Sequence, residues 1–348
     1  MSDVRPLRIA VLAPVAMAIR PGEGDSIEQL VSLLVEELVR RGHSVTLFAT
    51  GASETSAELR SVYAHGYDES GDIWDWRLAE TMHAARAFEQ AEEFDLIHSH
   101  AYHFALPFTR LVRTPVVTTY HVEMDEDVLG AFAQYPEARL VAVSDCQRAS
   151  LSGLEGVSVI PHGIDTDAFP FSPDPGDYLL FLGRMIPDKG PVDAIRIAEQ
   201  AGLPIVLAGP ASEYFTEAVE PLVDGDRVRY AGRVGPEDRD RLLAGAAALV
   251  FPSSYPEPFG LVMVEAMACG TPVVATALGA APEIVESGVS GHVGATPEDL
   301  AELVGPTMAL DRRRVRQRAV ERFDYARMVD DYEALYTDTV ARRRAAAS

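Results

Sequence analysis

The fold class can be inferred from residues 178–209, YLLFLGRMIPDKGPVDAIRIAEQAGLPIVLAG, because this stretch contains a complete strand, helix and strand. The short apolar runs YLLFLG and PIVLAG predict two buried strands. Between them, residues 192–201 are predicted to form a helix. A helix between two apolar strands predicts a parallel pair in an α/β sheet.

The same alternation continues on both sides of this stretch, and the Pro- and Asp-rich segment FPFSPDPGD separates two series. We therefore predict an N-terminal Rossmann-like domain at 1–168, a second at 169–322, and a C-terminal helix with a loose basic tail at 323–348. The predicted strands of the first series are 7–13, 44–50, 95–99, 115–120, 139–144 and 157–161, with helical stretches at 27–38, 78–94 and 104–111. In the second series, strands at 228–232, 248–252 and 272–276 alternate with helices at 213–222, 237–246 and 260–268.

The composition excludes several classes of partner. With 53 acidic and 30 basic residues, the chain of 348 residues has a net charge of −23, which repels nucleic acids and anionic membranes. Arg312 to Arg322 is the single basic run, and we interpret it as a solvated helix face. The two cysteines are far apart, as in a cytoplasmic protein with reduced thiols, and residues 7–13 are interpreted as a strand rather than a secretory signal.

The segment GRMIPDKG, residues 183–190, follows a predicted strand directly and contains the only lysine in the chain. Ligands of open α/β sheets bind at the carboxyl ends of the strands. Arginine is used at every other basic position apart from histidine, so a lysine here indicates a need for a compact ammonium group. We predict that Arg184 and Lys189 contact a phosphate.

A second candidate site lies in PEPFGLVMVEAMACGTPVVAT, residues 256–276. Pro258 keeps Glu257 out of a helix, so the amides near Phe259, Gly260 and Leu261 form a helix N-terminus that attracts anions or sugar oxygens. Glu265 lies one turn further along. Two carboxylates beside an anion-binding helix end indicate hydrogen bonds to hydroxyl groups rather than to phosphate.

These segments, together with VIPHGID and APEIVESGVSGHV, resemble the family 4 glycosyltransferases of the GT-B architecture, and the likeness covers nearly the whole chain. The resemblance implies two Rossmann-like domains facing each other across a cleft, with the C-terminal helix crossing back to the first domain. It also implies a retaining enzyme that uses a nucleotide sugar, with UDP-glucose as the first donor to consider.

The resemblance assigns roles to individual residues. Arg184 and Lys189 would bind the donor diphosphate, and Glu257 the transferred sugar, beside the amides of residues 259–261. Glu265 would bind the ribose hydroxyls. The remaining implied contacts are Arg233 and Val234 with the base, and His121 with the donor sugar.

The first domain departs from the family pattern. Where members have a glycine pair before the first helix, this chain has Asp25 and Ser26, preceded by Gly24. We expect Gly24, Asp25, His100 and His103 to contact the acceptor.

No metal or other cofactor is expected. The three D-x-D strings at 125–127, 165–167 and 238–240 are typical of chance matches in an acidic chain, and HSHAYH (98–103) contains histidines without a completing carboxylate or cysteine.

The sequence therefore predicts a metal-independent hexosyltransferase with a small-molecule or saccharide acceptor, acting as a monomer or homodimer. Two alternatives stay open: a nucleotide-sugar epimerase of the same architecture, and a non-catalytic nucleotide-sugar binder. Nucleotide release that requires an added acceptor distinguishes the transferase from the epimerase, and binding without turnover identifies the binder.

Overall fold

The structure of the protein is a computed structural model, and it describes residues 5–22 and 26–347. The chain divides into two compact units. The first contains residues 1–163 together with 325–348, and the second contains residues 164–324.

The first unit is built on a seven-stranded sheet in the order β3-β2-β1-β4-β5-β6-β7, in which all neighbouring strands are parallel. Most of these strands are short apolar runs that are buried on both faces, as expected when helices cover both sides of a sheet. The strands are β1 (Arg8–Leu12), β2 (Ser44–Phe48), β3 (Glu58–Arg60), β4 (Leu96–Ser99), β5 (Val116–Thr119), β6 (Arg139–Ala142) and β7 (Ser158–Val159). The helices that connect them are α1 (Ser26–Arg40), α2 (Trp76–Phe88), α3 (Glu126–Ala133) and α4 (Asp145–Ser150), with 3-10 turns at Ala91–Glu93 and Leu106–Leu111.

The second unit repeats this architecture with a six-stranded parallel sheet in the order β10-β9-β8-β11-β12-β13. Its strands are β8 (Leu179–Leu182), β9 (Ile205–Ala208), β10 (Val228–Tyr230), β11 (Ala248–Phe251), β12 (Val273–Thr276) and β13 (Gly291–Gly294). The helices are α5 (Pro191–Ala201), α6 (Pro236–Gly245), α7 (Leu261–Ala268), α8 (Ala281–Ile284), α9 (Pro297–Met308) and α10 (Arg312–Phe323). The predicted fold, two parallel α/β sheets of the Rossmann kind in series, is confirmed.

The last helix, α11 (Tyr325–Ala347), belongs to the first unit, as predicted, and packs against α1. Its Tyr332 and Tyr336 are completely buried, and their hydroxyl groups hydrogen-bond with Thr119 and His98 at 2.9 and 2.7 Å. The prediction of a loose basic tail is wrong, because the helix continues to Ala347. Within this tail, Arg342 pairs with Asp338 at 2.8 Å and Arg343 donates to the Arg113 carbonyl at 2.8 Å.

Two other predictions need correction. The segment 213–222 is not an α-helix but a π-turn at Phe215–Val219 followed by a 3-10 turn at Glu220–Leu222, where Pro221 lacks the N–H that a helix needs. The basic run on α10 is not simply solvated. Arg312 is only 5% exposed, and its guanidinium donates to three carbonyl oxygens and to the Thr271 hydroxyl.

None of the helices in the described part of the chain is long and apolar enough to cross a membrane.

Candidate functional site

In the second sheet, the direction in which the chain adds successive strands reverses between β8 and β11. From β8 the chain continues outward through β9 and β10, and then returns to the other side of β8 with β11. Loops that follow the two strands at such a switch point diverge and leave a crevice at the carboxyl edge of the sheet. These two loops are Gly183–Gly190, which is the first predicted segment, and residues 252–260, which overlap the start of the second predicted segment at 256–276.

The two loops are hydrogen-bonded to each other. The Asp188 carbonyl accepts the N–H of Ser254 at 2.9 Å and the hydroxyl of Ser253 at 3.1 Å. Gly190 has a φ of 72°, and a Cβ atom there would lie 2.5 Å from the Pro252 carbonyl oxygen. A side chain at this position would therefore push the loops apart, so glycine is required for both its conformation and its size.

Lys189 and Glu257 lie at the centre of this arrangement, and their side chains form a direct ion pair. Their side chains are 20% and 13% exposed, respectively, so the pair is largely shielded from solvent. From the sequence, the lysine was predicted to bind a phosphate, and the resemblance implied a sugar as the partner of the glutamate. The structure brings these two residues into contact with each other, while Arg184 is exposed on the same loop.

The amino end of α7 lies directly after Glu257. Gly260 precedes the helix with a φ of 102° and provides no side-chain cap, so the first N–H groups of α7 are not satisfied by a capping side chain. Phe259 is buried and packs edge-on against Phe323, with the ring centroids 5.9 Å apart. This end of the helix can therefore bind an anion or a sugar oxygen.

A third segment, the loop after β12, contacts the Glu257 backbone. The Glu257 carbonyl accepts the N–H of Ala280 at 2.9 Å. A Cβ atom on Gly279 would lie 2.5 Å from both the nitrogen and the carbonyl oxygen of Glu257. The loop after β12 thus holds Glu257 in place, and Gly279 allows the close approach.

Glu265 lies on α7 beside Arg239 of α6, with 3.8 Å between Oε1 and Nη1. Burial raises the pKa of Glu265 above its ordinary value, and Arg239 opposes this rise. Arg239 is also held by Asp240 at 2.8 Å. A carboxylate held in this way can accept hydrogen bonds from paired hydroxyl groups, as the sequence prediction requires.

Arg233 and Val234 follow β10, which lies two strands away from β8 in the same sheet. Arg233 is exposed and Val234 is partly buried. Their segment therefore leaves the same carboxyl edge as the loops after β8 and β11.

In the first unit, His121 belongs to a row of imidazoles. Its Nε2 lies 2.8 Å from Nδ1 of His100, and its Nδ1 lies 3.4 Å from Nε2 of His162. The neighbouring rings are stacked with centroids 5.1 Å apart in both pairs. Both ring nitrogens of His121 thus face other histidines, so the tautomers of the three rings are coupled.

The row is kept neutral by burial. Burial lowers the pKa of His121 to about 3, and burial together with the neighbouring imidazoles lowers the pKa of His100 and His162 well below the ordinary value. His98 lies beside the row, with its ring centroid 4.0 Å from that of His100, and burial lowers its pKa to about 3. At neutral pH each of these rings can donate one hydrogen bond and accept another.

The predicted acceptor residues lie in different environments. His100 is buried, whereas His103 is partly buried and stacks on Phe104 with 4.5 Å between the ring centroids. Gly24 and Asp25 lie outside the described residues.

The described residues contain no group of histidine, cysteine, aspartate or glutamate side chains that could hold a metal ion. The D-x-D strings have local structural roles instead. Asp125 caps α3 through the Val128 N–H at 2.8 Å, Asp165 accepts the Asp167 N–H at 3.1 Å, and Asp240 pairs with Arg239.

Sequence reasoning did not find Arg239, Ser253, His162 or Gly279. His162 lies in the motif VIPHGID, and Gly279 lies shortly before the motif APEIVESGVSGHV, so a polar or small residue beside a predicted strand end was the available signal. Arg239 has no such signal, because it is one arginine among several charged residues on an exposed helix.

Two protein families match this chain. The family described as glycosyl transferases group 1 matches residues 165–322, and the family described as glycosyltransferase family 4 matches residues 27–168. The D-inositol 3-phosphate glycosyltransferase of Mycolicibacterium smegmatis is 30% identical over 98% of this chain and 93% of its own length.

Solved structures show the same architecture. AviGT4, a glycosyltransferase involved in avilamycin A biosynthesis, is 27% identical with a TM-score of 0.73, covering 97% of this chain and 98% of its own. Anabaena Alr3699/HepE in complex with UDP and glucose is 21% identical with a TM-score of 0.73, covering 95% and 100% of the two chains, a likeness that shows the fold. The chain therefore belongs to the family 4 glycosyltransferases and has the GT-B fold.

Proposed function

We propose that this glycosyltransferase is a retaining, metal-independent hexosyltransferase that moves glucose from UDP-glucose to a hydroxyl group of a small-molecule or saccharide acceptor. The Anabaena neighbour binds UDP and glucose, which supports the choice of donor. The observation that carries the proposal is the contact between Lys189 and Glu257 beside the amino end of α7.

A cation, a carboxylate and a helix N-terminus suit the two chemically different parts of a nucleotide sugar. Arg184 and Lys189 bind the diphosphate, and the amides at residues 259–261 complete its environment. Glu257 accepts hydrogen bonds from the sugar hydroxyls, and Glu265 accepts them from the ribose. Arg233 and Val234 contact the base, while His121 binds the donor sugar as a neutral imidazole.

The reaction needs no protein nucleophile. The acceptor oxygen attacks the anomeric carbon on the face from which the phosphate departs, while the bond from that carbon to the phosphate oxygen breaks. The acceptor proton moves to the departing phosphate, and the products are a glycoside of retained configuration and UDP.

The charge that develops on the leaving UDP is met by Arg184, Lys189 and the helix end. A well-placed donor of this kind contributes about 3–4 kcal/mol to transition-state stabilisation. These groups occupy the role that a divalent cation has in other transferases, so we expect no metal requirement.

The test is a transfer assay with UDP-glucose and a panel of hydroxylated acceptors, with products analysed by mass spectrometry and NMR. We expect acceptor-dependent UDP release, unchanged turnover in EDTA and retained anomeric configuration. Loss of turnover in EDTA would contradict metal independence, and an inverted product would contradict the displacement described above. UDP release without any transfer to an acceptor would contradict the transferase assignment for this donor.

Lys189→Arg tests the site itself. The variant keeps the charge but replaces a compact ammonium with a planar group, so we expect kcat/KM for the donor to fall about tenfold or more. Arg196→Ala is the matched control, because Arg196 makes an exposed ion pair with Asp193 on the neighbouring helix α5. Equal kinetics for Lys189→Arg and the control would refute the special role of the lysine.

A further inference from the structure

A pocket of about 360 Å³ lies in the first unit, away from the residues assigned above. It is formed by the segment between β3 and α2 and by the first turn of α2. This segment leaves the carboxyl end of β3, which is the same edge of the parallel sheet from which the loops after β1 and β4 leave. The pocket therefore lies on the side of the sheet where ligands of this fold class bind.

The segment that carries the lining residues is attached to its surroundings by backbone hydrogen bonds. The N–H groups of Tyr67 and Asp68 donate to the carbonyl oxygens of Val15 and Ala16, at 3.1 and 3.0 Å. A Cβ atom on Gly66 would lie 2.0 Å from the Ala16 carbonyl oxygen, so the two segments are in close contact there. The segment that carries the pocket thus packs directly against the loop after β1, which leads in the chain to Gly24 and Asp25, two of the predicted acceptor residues.

The lining combines an aromatic surface with hydrogen-bonding groups. Trp74 is 96% exposed and Leu78 is 57% exposed, and both line the pocket. Tyr63, His65 and Asp72 line it as well. An exposed indole ring beside hydrogen-bonding groups that line the same pocket can stack on an apolar ligand face while these groups orient the ligand.

We infer that this pocket is a saccharide subsite, in which the apolar face of a pyranose ring stacks on Trp74 and its hydroxyl groups hydrogen-bond with Asp72 and His65. The inference rests on the proposed function, because the ring would belong to the acceptor. It makes that acceptor a glycoside rather than a simple alcohol.

The charges of the lining distinguish between saccharides. Among the described residues, the charged side chains of the lining are those of Asp72 and Asp75, and none of these lining residues is an arginine or a lysine. The Asp75 carboxylate is engaged as the cap of α2, accepting the N–H groups of Arg77 and Leu78 at 3.0 and 3.1 Å. A neutral or amino sugar is therefore accepted, whereas a sugar phosphate meets carboxylates without a compensating cation.

The chain offers a direct optical test, since Trp74 and Trp76 are its only tryptophans. Trp76→Phe leaves Trp74 as the single reporter, and phenylalanine can retain the edge contact that Trp76 makes with Phe104 at 5.7 Å. The full-length variant is titrated with methyl α-glucopyranoside, glucosamine and glucose 6-phosphate, following tryptophan emission. We expect a saturable change with the first two and at least about tenfold weaker binding of the phosphate, ~1.4 kcal/mol.

Trp74→Ala, in the otherwise unchanged protein, provides a second measurement by calorimetry. Because Trp74 is exposed, the melting temperature should stay unchanged, while the Kd for methyl α-glucopyranoside rises about tenfold. In the transfer assay, the KM for a glycoside acceptor should rise by a similar factor, with the KM for UDP-glucose unchanged. Absence of a saturable emission change in Trp76→Phe, or unchanged affinity in Trp74→Ala, would overturn the subsite.

The subsite and the proposed function fail in different ways. UDP binding is measured in parallel, because the residues proposed to bind it lie in the second unit. If UDP does not bind, the proposed function fails, and the saccharide titrations still decide whether the pocket is a subsite. If UDP-dependent transfer is observed while the Trp74 emission does not respond, the subsite alone is refuted.

Discussion

The ion pair between Lys189 and Glu257 makes a prediction about Glu257→Gln that a purely structural role would not make. In the free protein the ammonium is already neutralised by the Glu257 carboxylate. A diphosphate that binds Lys189 must therefore share the cation with a second anion. Replacing Glu257 with glutamine removes this competitor while preserving the size of the side chain and its ability to hydrogen-bond.

The size of the effect follows from the burial of the pair. Two negative charges that share one ammonium group, here the carboxylate and the diphosphate, lie about 5 Å apart. They repel each other by roughly 3 kcal/mol at the effective dielectric constant of about 20 that suits partly buried sites. Part of this gain is lost, because the glutamate also holds the lysine in position. We expect UDP to bind Glu257→Gln about tenfold more tightly, ~1.4 kcal/mol.

Turnover should change in the opposite direction. A hydrogen bond to a charged group contributes about 1.5–3 kcal/mol, so the loss of the carboxylate from the sugar site should lower kcat by about ten- to hundredfold. Calorimetry with UDP measures the first effect, and steady-state kinetics with UDP-glucose measures the second.

Two controls isolate the ion pair. Glu286→Gln makes the same charge change at a different ion pair of the second unit, with Arg318 at 2.6 Å, and should leave UDP affinity unchanged. In a Lys189→Met background, Glu257→Gln should no longer increase affinity through the lysine, which a double-mutant cycle detects as a coupling energy. Weaker or unchanged UDP binding in Glu257→Gln would refute the competition.

Three further predictions concern buried charged and titratable groups. Burial lowers the pKa of His98 and His121 to about 3, so the unfolded chain, with an ordinary value of 6.5, binds more protons below that pH. The free energy of unfolding should therefore fall as the pH drops below 6.5, by ~1.4 kcal/mol per pH unit for each histidine. Urea unfolding at several pH values measures this slope, and its absence would contradict the burial of the two rings. Burial raises the pKa of Glu80 to about 7 from 4.5, so the folded chain binds more protons and the stabilising contribution is lost as the pH rises through 7. Glu80→Gln should raise stability at pH 8 by up to about 3 kcal/mol, and an unchanged melting temperature there would contradict this shift. Arg312→Met removes the donor from two buried and two partly buried acceptors and should lower the free energy of unfolding by about 3 kcal/mol or more, a value that denaturant titration measures against the exposed Arg196→Met.

The alternation of strands and helices was predictable because it depends on neighbours in the chain. Buried parallel strands are short apolar runs, so most strands of both sheets were found from their composition. β3 and β13 were missed, since ELR at 58–60 and GHVG at 291–294 have little apolar character and lie at sheet edges. The helix at 213–222 was predicted wrongly because Pro221 outweighed the surrounding helix formers.

The residues of the candidate site were predictable as far as each belongs to a loop at a strand end. Lys189 and Glu257 stood out because each follows an apolar run and precedes a helix, which places both at the carboxyl edge of the sheet. The partners that hold them were not predictable. Ser253 and Ser254 are common loop residues, and only their hydrogen bonds to Asp188 give them a role.

The fold class and the positions of the two loops at the strand ends follow from the amino-acid sequence, because the spacing of apolar residues, turn residues and helix ends are local properties of the chain. The tertiary structure alone decided that Lys189 contacts Glu257, 68 residues away, that Arg239 lies beside Glu265, and that His100, His121 and His162 form one row. The strand order of the second sheet creates the first of these contacts, between Lys189 and Glu257. β11 pairs with β8, although β9 and β10 lie between them in the chain. Loops that are distant in sequence therefore converge at a point that no local pattern of residues specifies.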